Sequence, residues 1–242
     1  MGTKNSVVLH RLTNLKTRLF EDVHVDHFRY LVERIASNAV TTSELENSSD
    51  KAWVITFDDG FESDYSIALP ILLKHNARAV FFIVPSFIGK PEYMTWDQVK
   101  NLHANGMEIG SHSFTHPNFA KLTIDQKIHE LAVSKTTIEN MLNIKVKSFA
   151  IPFGMYDEET IKCVFQAGYE FCFTSQHGQF NYNDRIIPRN SVNSKMDMDA
   201  INDILFPSTR VRVKWVVEDL VKKQIKAVFG KRYASIRKIF MK

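Results

Sequence analysis

The sequence predicts an α/β fold built on parallel strands. Two observations carry that prediction: six short apolar runs rich in β-branched and aromatic residues recur along the chain, and stretches of helical spacing separate them. A third observation supports it, since carboxylates and imidazoles gather where these runs end, and parallel folds collect their chemistry at the C-terminal ends of strands. The 242 residues suit one sizeable domain, or one domain with an appendage. Periodicity leaves an open sheet and a closed barrel equally available.

The strands read as SVVLH at 6–10, AWVITF at 52–57, RAVFFIV at 78–84, MEIG at 107–110, VKSFAI at 146–151 and YEFCFT at 169–174. Between them, 26–37 places Phe28, Leu31, Val32 and Ile35 on one helical stripe, and 66–76 ends in Asn76, a residue suited to a helix C-terminus. Thr95 caps a helix that stops at Gly106. Thr123 starts a longer one, with Gln126 placed for a capping box. The segment TTSELENSSDK at 41–51 is polar and without periodicity, which predicts a surface loop or small insertion. No internal repeat or low-complexity tract is visible. From Asp197 onward the pattern turns helical, with Val216, Leu220, Val221, Ile225 and Val228 on one side and Lys222, Lys223 and Lys226 elsewhere.

The formal net charge of +4 hides an asymmetry. Residues 210–242 hold eleven Lys or Arg against Glu218 and Asp219, a local +9 that leaves −5 on residues 1–209. This divides the chain into a body, 1–209, and a basic, amphipathic C-terminal extension, 210–242. Two cysteines, Cys163 and Cys172, make no disulfide framework, and nothing at the N-terminus reads as a signal peptide, so a cytoplasmic protein is expected. The best apolar stretch, AVFFIVPSFI at 79–88, is too short to span a bilayer and is broken by proline.

One short stretch raises an electrostatic question. VITFDDGFES at 54–63 sets Asp58 beside Asp59 at a strand end, where a turn needs one Asp and two anions repel unless a cation separates them. The next strand end supplies a partner: MEIGSHSFTHPNF places His112 and His116 four residues apart, able to point the same way across a helical turn or a tight loop. Two His and one carboxylate make a three-ligand site for Zn²⁺ or another first-row divalent metal, with room for water. Such a metal brings the pKa of its water to about 7, so the second carboxylate can serve as a base. Both carboxylates reach one site only if the chain is already turning at Gly60. A lone DDG is usually a turn and a lone His pair usually a surface or capping pair; their joint occurrence at strand ends favours the site.

TFDDGFESDY, with FFIVPSFIG, MTWDQVKNLHANGMEIGSHSFTHPNF and FAIPFGMYDEETIKCVFQAGYEFCFTS, resembles the polysaccharide deacetylase family with its NodB-homology domain, over roughly 7–192. The resemblance implies a distorted (β/α) barrel and removal of N-acetyl groups from amino sugars of a polysaccharide or a glycan precursor. It assigns Asp58 as catalytic base and Asp59, His112 and His116 as metal ligands. The family's third motif commonly carries an Arg where this chain has Ala150, while Phe153 keeps the position whose backbone N–H helps hold the oxyanion. Arg189, in RIIPRNSV, resembles a segment of the branch with an FAYPYG-like third motif and offers the missing guanidinium. The family's late His, donor to the leaving amine, has no counterpart after His177. His10, at the end of the first strand, takes that role by position, with His177 and a protonated Asp58 as alternatives. Tyr93, Trp96 and Tyr156 offer flat faces for a sugar but suit core packing equally.

Two other classes compete. A catalytically silent carbohydrate-binding protein would explain the absent motif Arg and late His, though it would not need base and ligands together. A metal-dependent phosphoesterase would want more carboxylates and histidines than these motifs supply. The expected partner is an N-acetylated glycan, polymeric or lipid-linked. Nucleic acid is not expected, since no recognition module accompanies the charge. The basic extension offers peripheral contact with an anionic inner membrane surface; the alternative is a helix packed on the barrel with a solvated tail.

Overall fold

The computed structural model describes residues 3–15 and 19–229. The six predicted strands form, as β1 (Lys4–Leu9), β4 (Trp53–Asp59), β5 (Val80–Ile83), β6 (Glu108–Ser111), β7 (Ser148–Ala150) and β8 (Phe171–Phe173). Short strands accompany them: β2 (Leu12–Thr13) and β3 (Val23–His24) pair with each other, while β9 (Gln179–Phe180), β10 (Ile186–Ile187) and β11 (Asn190–Ser191) join the main sheet. Its order is β10-β8-β7-β6-β5-β4-β1-β11, parallel throughout, with β9 antiparallel on β1. Only Pro188 and Arg189 separate β10 from β11, so the two ends of the order are tied by the chain. The sheet is therefore a nearly closed parallel barrel.

Helices wrap it: α1 (Val25–Ile35), α2 (Leu69–Lys74), α3 (Trp96–Ala104) and α4 (Ile124–Leu142) where apolar spacing placed them, α5 (Glu158–Gln166), which the sequence reading did not assign, and α6 (Met198–Leu205) and α7 (Thr209–Phe229) in the helical stretch after Asp197. Thr95 with Gln98 and Thr123 with Gln126 form the capping boxes of α3 and α4, and Asn143 ends α4 in the left-handed region at φ 55°. The core packs helix stripe against barrel wall, with Phe28 edge-on to Phe57 and Phe57 stacked on Phe81 at 4.8 Å. Gly110 is required by proximity: a Cβ there would lie 2.5 Å from the Phe82 ring.

Two segments depart from the sequence reading. The expected surface loop or insertion at 41–51 carries local order the sequence did not show, since Thr42–Asn47 forms a 3-10 helix with Leu45 buried and Glu108 accepting from the Thr42 N–H at 2.8 Å. A 3-10 element this short buries one apolar residue and leaves no stripe to read. The helix expected from 66 opens instead with a π turn, Asp64–Ala68, before α2. Pro70 lacks the N–H that would bond back to Ser66, and the widened turn accommodates the loss.

Among the described residues, α7 touches the barrel through Trp215, partly buried against the core, and through Asp219. The Ile225 and Val228 side chains, those of the three lysines between 222 and 226, and all of 230–242 lie outside the described residues. Cys163 and Cys172 are free and buried. No helix of the described residues is long and apolar enough to cross a membrane.

Candidate active site

The site lies at the C-terminal end of β4. Asp58 follows strand geometry and points into the barrel, whereas Asp59 already has φ 77° and Gly60 φ 78°. Two successive left-handed residues turn the chain one position earlier than Gly60 alone would, and this brings both carboxylates to one side.

The Asp58 carboxylate is buried and gripped by Arg189, whose Nη1 and Nη2 donate to Oδ1 and Oδ2 at 2.6 and 2.9 Å. The guanidinium is itself 1 % exposed, with Nε donating to the Thr174 carbonyl at 3.0 Å and Nη1 also to Thr56 Oγ1 at 3.2 Å. Such a two-pronged pair fixes orientation as well as charge. Burial would push Asp58 up, but Arg189, with His112 and His10 adding, holds it well below the usual carboxylate range.

Asp59 has no such partner. Its Oδ1 is buried without a hydrogen bond and faces His116 Nε2 at 3.3 Å and His112 Nε2 at 3.6 Å. Burial, with Asp58 and Glu21 adding, pushes Asp59 up to about 8. His112 is set by its other nitrogen, because Nδ1 contacts the Ala150 carbonyl at 2.8 Å and so directs Nε2 inward. Burial draws His112 down to about 4, which keeps it neutral with a lone pair toward Asp59.

His116 returns to the same point by a tight loop rather than a helical turn. Ser113, at φ 65°, accepts the His116 N–H on its hydroxyl at 3.0 Å, and His116 sits at φ 60°. Glu130 of α4 holds the tip, accepting from the Phe114 and Thr115 N–H groups at 2.9 and 2.8 Å. The ligand atoms of Asp59, His112 and His116 all lie within 4.8 Å of one another. A buried, unbonded carboxylate oxygen facing two imidazole nitrogens is an acceptor set that a divalent cation fits.

Of the remaining predicted residues, His10, Phe153 and His177 border the same cleft of about 510 Å³. His10, half-buried at the end of β1, lines it and lies close enough to Asp58 and His112 to act on their charge. Phe153 lines the opposite wall, 47 % exposed and edge-on to His116 at 4.4 Å, with φ 58° followed by φ 59° at Gly154. Ala150 contributes only its carbonyl, and Arg189 occupies the space beside Asp58 from the barrel seam. Of the aromatic candidates, Tyr93 stacks on Phe61 at 5.1 Å, Trp96 packs on the core, and Tyr156 borders a second groove along α7.

Three features escaped the sequence. His177 is paired with α7: its N–H and Nδ1 contact the Asp219 carboxylate at 2.8 and 3.0 Å, and its ring stacks on Trp215. Glu218 of the same helix lines the cleft beside it. Asp64 lies fully buried with both carboxylate oxygens unbonded, and burial, with Asp59 and Asp58 adding, pushes it well above its ordinary value. The first pairing left little trace, since His177 is followed by five Asp residues and nothing in their spacing marked Asp219 as its partner.

The family model for polysaccharide deacetylase matches residues 46–172. The chain is 32% identical over 156 residues to YxkH of Bacillus subtilis (strain 168), a protein bearing that family's name, covering 64% of this chain and 55% of the relative. It is 30% identical over 136 residues to the peptidoglycan-N-acetylmuramic acid deacetylase PdaA of the same organism, covering 54% and 49%. The fold matches the Streptococcus pyogenes deacetylase PplD with a TM-score of 0.76 at 21% identity, over 85% of this chain and 99% of that one. The chain belongs to the polysaccharide deacetylase family. It spans about half the length of the first two of these relatives.

Proposed function

We propose that this protein is a metal-dependent hydrolase that removes N-acetyl groups from amino sugars of a glycan, polymeric or lipid-linked. The observation that carries the reading is the division of labour between adjacent carboxylates: Asp58 is held charged by Arg189, while Asp59 faces two imidazoles. A turn would need neither arrangement.

Asp59, His112 and His116 would hold the cation, with zinc suited to two nitrogens and one carboxylate. When bound, it supplies Lewis acidity and brings a water's pKa to about 7. Asp58 takes the proton of the attacking water, and Arg189 keeps the carboxylate aimed and ionised until then. As the new C–O bond forms, the acetyl oxygen gains charge, and the Phe153 backbone N–H helps hold it; loss of such a donor costs about 10²–10³ in rate. The C–N bond then breaks, and His10 gives the leaving nitrogen its proton, so that acetate and a free amine depart.

The test is acetate release from a panel of N-acetylated oligosaccharides in zinc-supplemented buffer. Release from at least one of them is the expected result. Oligosaccharide binding with no acetate from any would replace the hydrolase with a carbohydrate-binding protein.

A further inference from the structure

The two faces of α7 differ sharply. Its inner face carries Trp215 on the core, Asp219 on His177 and Glu218 on the cleft. At 100° per residue, Val213, Val217, Leu220 and Val221 fall on an arc of about 100° centred on the opposite side, with Leu220 at its edge, where it also lines the groove shared with Tyr156 and His177. These four are 58 %, 53 %, 57 % and 50 % exposed. An apolar arc turned away from the core needs another surface to cover it.

Charge selects the occupant. Both acids of residues 210–242 lie on the inner side, Glu218 with Lys214 Nζ 3.9 Å from its carboxylate, and the outer side carries the arc with the exposed Arg210 within it and the exposed Lys214 beside it. The rest of the segment adds only basic side chains to the charge, for the net +9. A protein partner would have to match one apolar stripe with an acidic rim, whereas an anionic bilayer offers both along any helix that lies flat on it.

We infer that α7 rests on an anionic membrane surface through Val213, Val217, Leu220 and Val221, with Arg210 and Lys214 among the phosphates. A helix is about 10–12 Å across, so the cleft walled by Glu218 stands one helix diameter from the lipid. Resting on the hydrolase reading, this assigns a substrate class: amino-sugar glycans carried at the membrane on a lipid.

The test is flotation of the full chain with vesicles of phosphatidylglycerol mixed with phosphatidylcholine, against phosphatidylcholine alone. The wild type should float with the anionic vesicles only, and less so at high salt. The triple variant Val213→Ser, Val217→Ser, Val221→Ser, and separately Arg210→Glu with Lys214→Glu, should each bind about ten-fold more weakly or worse. Acetate release from a soluble oligosaccharide should stay unchanged in both variants, which separates membrane contact from the chemistry. Equal flotation with neutral vesicles, no flotation, or a triple variant that floats like the wild type would each overturn the inference. So would a wild-type dimer that the triple variant converts to monomer while flotation persists, since a second copy would then own the arc.

Discussion

Arg189 and Asp58, 131 residues apart in sequence, tie the barrel seam to the end of β4 and hold the Asp58 carboxylate ionised in one contact. Arg189 sits in the two-residue seam between β10 and β11, and its guanidinium reaches through the interior to the end of β4. The arginine proposed here to stand in for the family's motif arginine therefore comes from a different strand junction, with Thr174 and Thr56 bracing it.

Because both partners are buried, truncating one strands the other. Arg189→Ala should lower stability by about 3–5 kcal/mol and remove most activity, since Asp58 would then take up a proton in the absence of its counter-charge. Arg189→Lys should keep charge but lose the fork and recover only part of the rate. Chemical denaturation and acetate release on the same preparations check both; an Arg189→Ala protein as active as wild type would detach the pair from catalysis.

Zinc should bind the cluster tightly and raise the melting temperature, the rise growing with the logarithm of free zinc once this exceeds the dissociation constant. His116→Ala and Asp59→Asn should each weaken binding by at least about 10-fold in calorimetric titration. Unaltered zinc affinity in both would place the metal elsewhere.

The proton donor is decided between His10 and His177, which border one cleft. His10→Gln should lower kcat by about 10²–10³. Asp219→Asn and His177→Gln should loosen α7 and change KM more than kcat, since Asp219 holds both the His177 N–H and its ring. The reverse pattern would transfer the donation to His177.

Asp64 imposes a pH dependence of its own. A carboxyl whose pKa rises on folding binds more protons folded than unfolded, so its share of stability is full below the ordinary value near 4 and is lost as pH climbs toward the raised one. Asp64→Asn removes that titration and should stabilise the protein by about 1–3 kcal/mol at pH 8 with little gain at pH 4. Urea midpoints at the two pH values measure it; an equal effect at both would mean that Asp64 is ionised in the fold.

What the sequence revealed follows from distance along the chain. Strands, capping boxes at Thr95 and Thr123, and the TFDDG and HSFTH turns depend on neighbours within a few residues, and they read directly. The 3-10 helix at Thr42–Asn47 stayed hidden because its partner, Glu108, lies on β6, and the π turn because proline marks a disturbance without its kind. For the basic extension the sequence left open a helix packed on the barrel, and the contacts of Trp215 and Asp219 with His177 that seat α7 there were not legible in it. Contacts between α7 and His177 span 42 residues, and no local pattern encodes them.

Asp58 and Asp59, adjacent in sequence, are proposed to do different work. Acetate release and zinc affinity measured side by side for Asp58→Asn and Asp59→Asn test it most directly. Asp58→Asn should keep wild-type zinc affinity and lose about 10²–10⁴ in rate, whereas Asp59→Asn should lose both. Wild-type acetate release by Asp58→Asn, with zinc bound, would contradict the account.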